Sequence, residues 1–164
     1  MLPRVDHRRP ADRPAGGPLD DVSKKIIEQL QEDGRRPYGT IGKAVGLSES
    51  AVRQRVQRLL DTGVMQIVAV TDPLQVGFPR QALIGVRVDG ETESVADALA
   101  DIEEVDYVVM TAGSFDIMIE VVCEDDDHLL DLLSRRIRRI PGVRSTESFV
   151  YLRLRKQTYG WGTR

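Results

Sequence analysis

Residues 37–63 read PYGTIGKAVGLSESAVRQRVQRLLDTG, two short helical patterns with a tight turn between them. Ile41, Gly42 and Val45 belong to the first helix. Gly46 and Leu47 make the turn, and Ser48 stands where its hydroxyl can accept a free backbone N–H of the second helix. In that helix Val52, Val56 and Leu59 recur at i, i+4 and i+7, which defines one buried stripe. At about 100° per residue, Ser50, Gln54 and Gln57 project from the opposite face, with Arg53, Arg55 and Arg58 on its flanks. A face that is uncharged at its centre and cationic at its edges suits a DNA major groove. Amides and hydroxyls read base edges there, and arginines hold phosphates. A merely solvated face in a small helical bundle is the plainer alternative. The small residue, the turn glycine, the cap and the apolar spacing together favour a helix-turn-helix. Such motifs usually carry Ala where Gly42 stands. Glycine still permits close helix approach, but costs up to ~1 kcal/mol in a helix interior.

Composition bounds the rest. The chain has 164 residues, enough for one ordinary domain or two small ones. It is 41% hydrophobic and 30% charged, a globular composition, and its 5% aromatic content argues against a large aromatic cofactor box. The net charge of -3 hides an asymmetry: +3 through Asp61 and -6 beyond it. A mildly basic front and an acidic back fit a phosphate-facing part and a part with another task. A lone Cys123 allows neither an intrachain disulfide framework nor a multi-thiolate zinc site, and its apolar surroundings in sequence point to buried packing. His7 and His128 are too far apart to assemble a metal cluster or a Ser/His/Asp grouping, so no enzyme, cofactor or metal is expected. No apolar run approaches the ~20 residues of a membrane span and no signal-peptide core opens the chain. The expectation is a cytoplasmic protein, associated with the nucleoid and without a membrane partner.

In chain order, residues 1–18 carry four prolines and no hydrophobic period, the pattern of a disordered tail. Arg4, Arg8, Arg9 and Arg13 there can add non-specific DNA attraction, or the segment is a leader without function. Residues 19–71 form the DNA-binding part. It opens with a helix over 19–33, capped by Asp20 or Asp21, facing Val22, Ile26 and Leu30 inward and ended by Gly34 as a left-handed cap. Arg36 and the Tyr38 hydroxyl follow at the edge where phosphates would lie. Residues 64–70 are β-rich and read as a strand, a wing or a connector. Asp72-Pro73 and Gly77-Phe78-Pro79 mark a linker over 72–80.

Residues 81–155 alternate strand and helix patterns: strands over 82–88, 105–111, 117–123 and 143–154, helices over 93–102 and 126–140. The second helix is expected to bury Leu129, Leu130, Leu133 and Ile137. The order βαββαβ is the ferredoxin-like split arrangement of an α+β protein, and residues 156–164 remain as a C-terminal tail. Neighbouring apolar residues such as Val108 and Val109, or Ile117, Met118 and Ile119, imply bulk on both sheet faces. Two helices cover only one, so a second copy related by a two-fold axis is expected to seal the other. Such a homodimer presents two recognition helices to half-sites about one helical turn apart, or a multiple, on double-stranded DNA.

The residues quoted so far, with Leu19-Asp20, Val45-Gly46-Leu47-Ser48, Arg55-Val56, Gly63-Val64, Gly113-Ser114-Phe115-Asp116 and Ile140-Pro141-Gly142-Val143, resemble the Lrp/AsnC (feast/famine) family of bacterial transcription regulators. The resemblance implies an N-terminal winged helix-turn-helix and a C-terminal amino-acid-sensing domain of the RAM or ACT-like kind. It implies dimers that often assemble into octamers or other rings, with an amino-acid effector bound between dimers. The DNA contacts expected from the helix face and its edges are Arg36, Tyr38, Ser48, Ser50, Arg53, Gln54, Arg55, Gln57 and Arg58. Arg55 lies at the edge of the buried stripe and can equally pair with Asp21 or Glu28. The effector turn it implies comprises Thr111, Gly113, Ser114 and Asp116, in which Ser114 departs from the acidic or amide residue usual there. Gly113 permits close backbone approach, and Asp116 can accept from an α-ammonium group; local turn-shaping and capping are the alternative roles. The leading function is a sequence-specific regulator that responds to an amino acid, the alternative an architectural DNA-binding protein without an effector.

Overall fold

The computed structural model of the chain describes residues 19–164. The expected disordered tail, its arginines and His7 lie outside the described residues. The described residues divide into two compact units, one made of residues 19–69 together with 156–164, the other of residues 70–155.

In the first unit three helices follow one another: α1 Asp21–Glu32, α2 Tyr38–Val45 and α3 Glu49–Asp61. Asp20 caps α1, its carboxylate accepting the Ser23 N–H at 2.7 Å. The stripes behave as their spacing requires. Ile26, Leu30, Ile41, Val52 and Val56 form the core, with Val22, Tyr38, Val45 and Leu47 packed around it. Full burial of such a side chain contributes roughly 1.5–3 kcal/mol. The turn between α2 and α3 is set by two glycines. Gly46 adopts φ 74°, a left-handed conformation that side chains disfavour. At Gly42 an added Cβ would stand 2.5 Å from the Leu47 carbonyl oxygen. The departure from Ala therefore has a steric cause: here the turn folds back onto the helix, and the Leu47 N–H donates to the Gly42 carbonyl at 2.9 Å.

Two local expectations fail in this unit. Gly34 is not a left-handed cap, since its φ lies outside that region; α1 ends at Asp33, whose extended backbone takes the chain off the helix while its N–H still reaches the Gln29 carbonyl. Residues 64–70 form no strand, and Val64, Ile67, Val68 and Val70 are exposed. A strand needs a ladder partner for its N–H and C=O groups, and β propensity measures fit to a half-buried pleated surface rather than a backbone preference. No strand ladder reaches this segment among the described residues, so none of them forms a wing strand.

The second unit opens with a 3-10 turn at Pro73–Val76, followed by β1 Arg80–Val88, α4 Thr92–Ala100, β2 Val105–Met110, β3 Ile117–Cys123, α5 Asp126–Asp131 and β4 Val143–Val150. The four strands make one antiparallel sheet in the order β2-β3-β1-β4, the expected βαββαβ topology. Ala82, Ile84, Val86, Ile117, Ile119 and Val121 are fully buried on one face with Val95, Leu99, Leu132 and Ile137. Cys123 joins them; burial first, then the charges of Glu104 and Asp125, push its thiol up to about 11, which keeps it protonated and inert. On the other face Leu83, Met118 and Val122 are half-buried and Phe149 is 43% exposed.

The second helix departs from expectation. After α5 the chain widens into a π turn at Leu132–Arg136 and tightens into a 3-10 turn at Ile137–Arg139. Leu132 and Ile137, five residues apart, are both fully buried, whereas Leu130 is 60% exposed. A regular helix cannot point positions i and i+5 the same way, and the π turn lets it do so. β4 ends at Val150, and Leu152 is 96% exposed. No helix among the described residues is long and apolar enough to cross a membrane.

Candidate functional site

The candidate nucleic-acid face is carried by α3 and the chain leading into α2. Ser48 caps α3, its hydroxyl accepting the Ala51 N–H at 3.3 Å and lying 3.1 Å from the Ser50 hydroxyl. Ser50, Gln54, Gln57 and Arg58 are all exposed, as their angular positions require. Gln57 donates to Asp61 at 2.8 Å. Gln54 and Arg58 hold no side-chain partner among the described residues, so they face water.

The other arginines differ in how firmly they are engaged. Arg53 pairs with Glu49 at 2.9 Å, and its guanidinium stands 5.3 Å from the Tyr38 ring centre. Both partners of that ion pair are more than half exposed, a class of pair worth about 0–1 kcal/mol and weakened by salt, so a phosphate can displace Glu49. Arg36 donates to Gln29 at 2.7 Å and pairs with Glu32 at 3.0 Å, which draws it back onto α1. Arg55 is the most constrained. Its guanidinium bonds the Asp20 carboxylate at 2.6 Å and the Ser23 hydroxyl at 3.1 Å, tying α3 to the first turn of α1. The partner is thus the capping residue Asp20, neither Asp21 nor Glu28. Hydrogen bonds from Ser23, then that from Arg55, hold the Asp20 carboxyl down at about 2.

The candidate effector turn joins β2 to β3. Thr111, Ala112, Gly113 and Ser114 are exposed, and an added Cβ at Gly113 would meet nothing within 4 Å. The space beside Gly113 is open. The rest of the turn is closed on itself. The Thr111 hydroxyl donates to the Phe115 carbonyl at 2.6 Å, and the Asp116 carboxylate accepts the Val88 N–H at 2.8 Å.

Phe115, part of the quoted turn motif but given no role of its own, completes this corner with Arg87 and Gly85, which escaped the sequence reading. Arg87 donates from Nε to the Ser114 carbonyl at 3.0 Å, and its guanidinium lies 4.5 Å from the centre of the Phe115 ring. Phe115 in turn lies flat on Gly85, where a Cβ would come within 2.5 Å of the ring, and meets Phe149 edge-on at 6.2 Å. A glycine in the interior of a β-strand was the available signal, since it often marks a close approach by another group.

A family model for the AsnC-type helix-turn-helix domain matches residues 19–60, and one described as the PF0864 C-terminal dimeric alpha+beta barrel domain matches residues 79–164. The HTH-type transcriptional regulator FL11 of Pyrococcus horikoshii is 36% identical over 86% of this chain and 94% of its own. The leucine response regulatory protein LrpA of Mycobacterium tuberculosis superposes with a TM-score of 0.76 at 31% identity, over 86% of this chain and 100% of its own. The regulator NMB0573 of Neisseria meningitidis, solved in complex with L-Met, gives 0.75 at 26% identity, over 87% and 96%. The helix-turn-helix implies DNA as a partner, and the dimeric character of the C-terminal domain implies self-association. The chain belongs to the AsnC/Lrp family of helix-turn-helix transcriptional regulators.

Proposed function

We propose that this chain regulates transcription in the cytoplasm as a sequence-specific DNA-binding dimer, with α3 as its reading helix. Ser50, Gln54 and Gln57 face base edges, and Arg53 and Arg58 take phosphates. Arg55 braces α1 and stands behind the interface. The observation that carries this reading is that Gln54 and Arg58 are exposed and without a side-chain partner among the described residues, on a helix whose other face is fully buried. Two copies joined through the half-covered sheet face would offer two such helices to two half-sites. Gln54→Ala is expected to weaken binding to an operator selected from a random DNA pool by about 1–3 kcal/mol while binding to unrelated DNA is unchanged. Equal affinity of the two proteins for the operator would move the reading face elsewhere.

The exposed Ala112–Ser114 backbone fits an amino-acid effector, and the L-Met held by the Neisseria regulator makes L-Met the first ligand to try. The closed state of Asp116 favours the second reading, an architectural DNA-binding protein without an effector. A thermal-shift screen of the amino acids separates the two, because a ligand that binds only the folded state raises its melting temperature. A silent screen at millimolar ligand selects the architectural reading.

A further inference from the structure

Residues 156–164 belong to the same compact unit as the three helices, whereas residues 70–155 form the other. The chain leaves the helical unit after residue 69 and returns to it at residue 156. The returning segment is held to α1. The Gly162 N–H donates to Gln31 Oε1 at 3.1 Å, and the Thr163 hydroxyl donates to Glu28 Oε1 at 2.6 Å. Glu28 and Gln31 stand one turn apart on α1, so both bonds fall on one strip of that helix. Gly162 adopts φ 74°, the left-handed region that glycine enters freely, and a Cβ added at Gly160 would stand 3.8 Å from the Gln31 carbonyl oxygen. Thr163 is only partly exposed and makes a short bond to Glu28.

We propose that residues 156–164 are a strap that limits the orientations open to the helix-turn-helix, so that the two reading helices of a dimer meet two half-sites together. The proposal rests on the two-site DNA reading given above. A DNA-binding unit joined to its dimerisation unit by one connection samples many orientations. The avidity gained from a second half-site depends on how often the second helix is correctly placed. A second connection, closed by side-chain bonds, restricts that sampling before DNA arrives. Glu28 and Gln31 lie on α1 and bond the returning segment, and neither is among the α3 side chains assigned to DNA, so substituting them leaves those side chains in place. Gln31, Glu28, Gly162 and Thr163 are positioning residues.

The test compares the full chain, a chain ending at Arg155, and the variants Glu28→Ala and Glu28→Gln, on DNA selected from a random pool. Each protein is titrated with DNA carrying both half-sites and DNA carrying one, with sedimentation and thermal melting alongside. Truncation is expected to reduce the preference for two-site over one-site DNA by about tenfold, leaving one-site affinity and assembly size unchanged. Glu28→Ala moves the preference the same way, and Glu28→Gln, whose amide oxygen still accepts from Thr163, retains it. An unchanged preference in the truncated chain, an equal loss on both DNAs, or a changed assembly size each overturns the strap. A full chain that shows no preference for two-site DNA instead overturns the two-site reading, and the strap's role with it.

Discussion

The reading helix and the 111–116 turn are both polar and exposed, yet they differ in what their polar groups already hold. On α3, Gln54 and Arg58 are exposed and hold no side-chain partner among the described residues, and the Arg53 ion pair is open to solvent. In the turn, Thr111 and Asp116 each hold a backbone group, and Arg87 reaches in from β1 to hold another. Steric freedom runs the other way: a Cβ at Gly42, beneath α3, collides at 2.5 Å, whereas one at Gly113 meets nothing. A surface read by a partner of fixed shape is thus built with a rigid base and free tips. The turn is built with tied side chains and an open backbone, so a ligand there gains most from the Ala112–Ser114 peptide groups and least from displacing the Asp116 bond.

The sharpest way to break the contrast is Gly42→Ala. The Leu47 carbonyl is backbone and cannot swing aside, so the helical unit should lose about 2 kcal/mol or more in chemical denaturation, as overpacked sites do. A neutral result would show that the turn relaxes and that its base is not rigid.

Acidification comes next. Asp20 titrates at about 2 in the folded chain, against about 3.9 in an unfolded one. A depressed carboxylate contributes stability fully above the unfolded value and loses it as pH falls through the folded one. The stability difference between the wild type and Asp20→Asn should therefore be constant above about pH 5 and shrink between about pH 4 and 2. Urea unfolding followed by helix signal measures it, and a difference that does not change with pH would detach Asp20 from the α1–α3 tie.

A smaller effect separates the two flanking arginines. Arg58→Ala should lower the slope of log affinity against log salt by about 1 on every DNA sequence, as loss of one phosphate contact does. Arg55→Ala should leave that slope unchanged and instead lower the melting temperature of the helical unit. The reverse assignment of slopes would place Arg55 on the DNA. Gly113→Ala is expected to change least, within about 0.5 kcal/mol in stability, because the added methyl enters open space. A large loss there would mean that the turn is tighter than its exposure indicates.

The helical unit was legible wherever one stripe met one core: Ile26 and Leu30, Ile41, and Val52 and Val56 all lie where their spacing puts them. The βαββαβ order was legible for the same reason, since strand and helix periods differ. The misses share a different physics. Residues 64–70 have strand composition without a ladder partner. Gly34 has the right residue type in a backbone that has already left the helix. Leu132 is buried through a π turn that an ideal 3.6-residue period hides. At the candidate sites, face and exposure could be read from angular position, but the engagement of Arg55 with Asp20, 35 residues away, could not. The same holds for the seat of Phe115 on Gly85 and the docking of residues 156–164 on α1, all long-range pairings that local pattern does not encode.

In the sheet unit, Ala82 near the start of β1 pairs with Val150 at the end of β4. Entry and exit of that unit are therefore neighbours on adjacent strands, the geometry of a cassette plugged into a host by a two-pin connector. Such a module can be lifted out, or fitted to a different reading head, without rerouting a single strand.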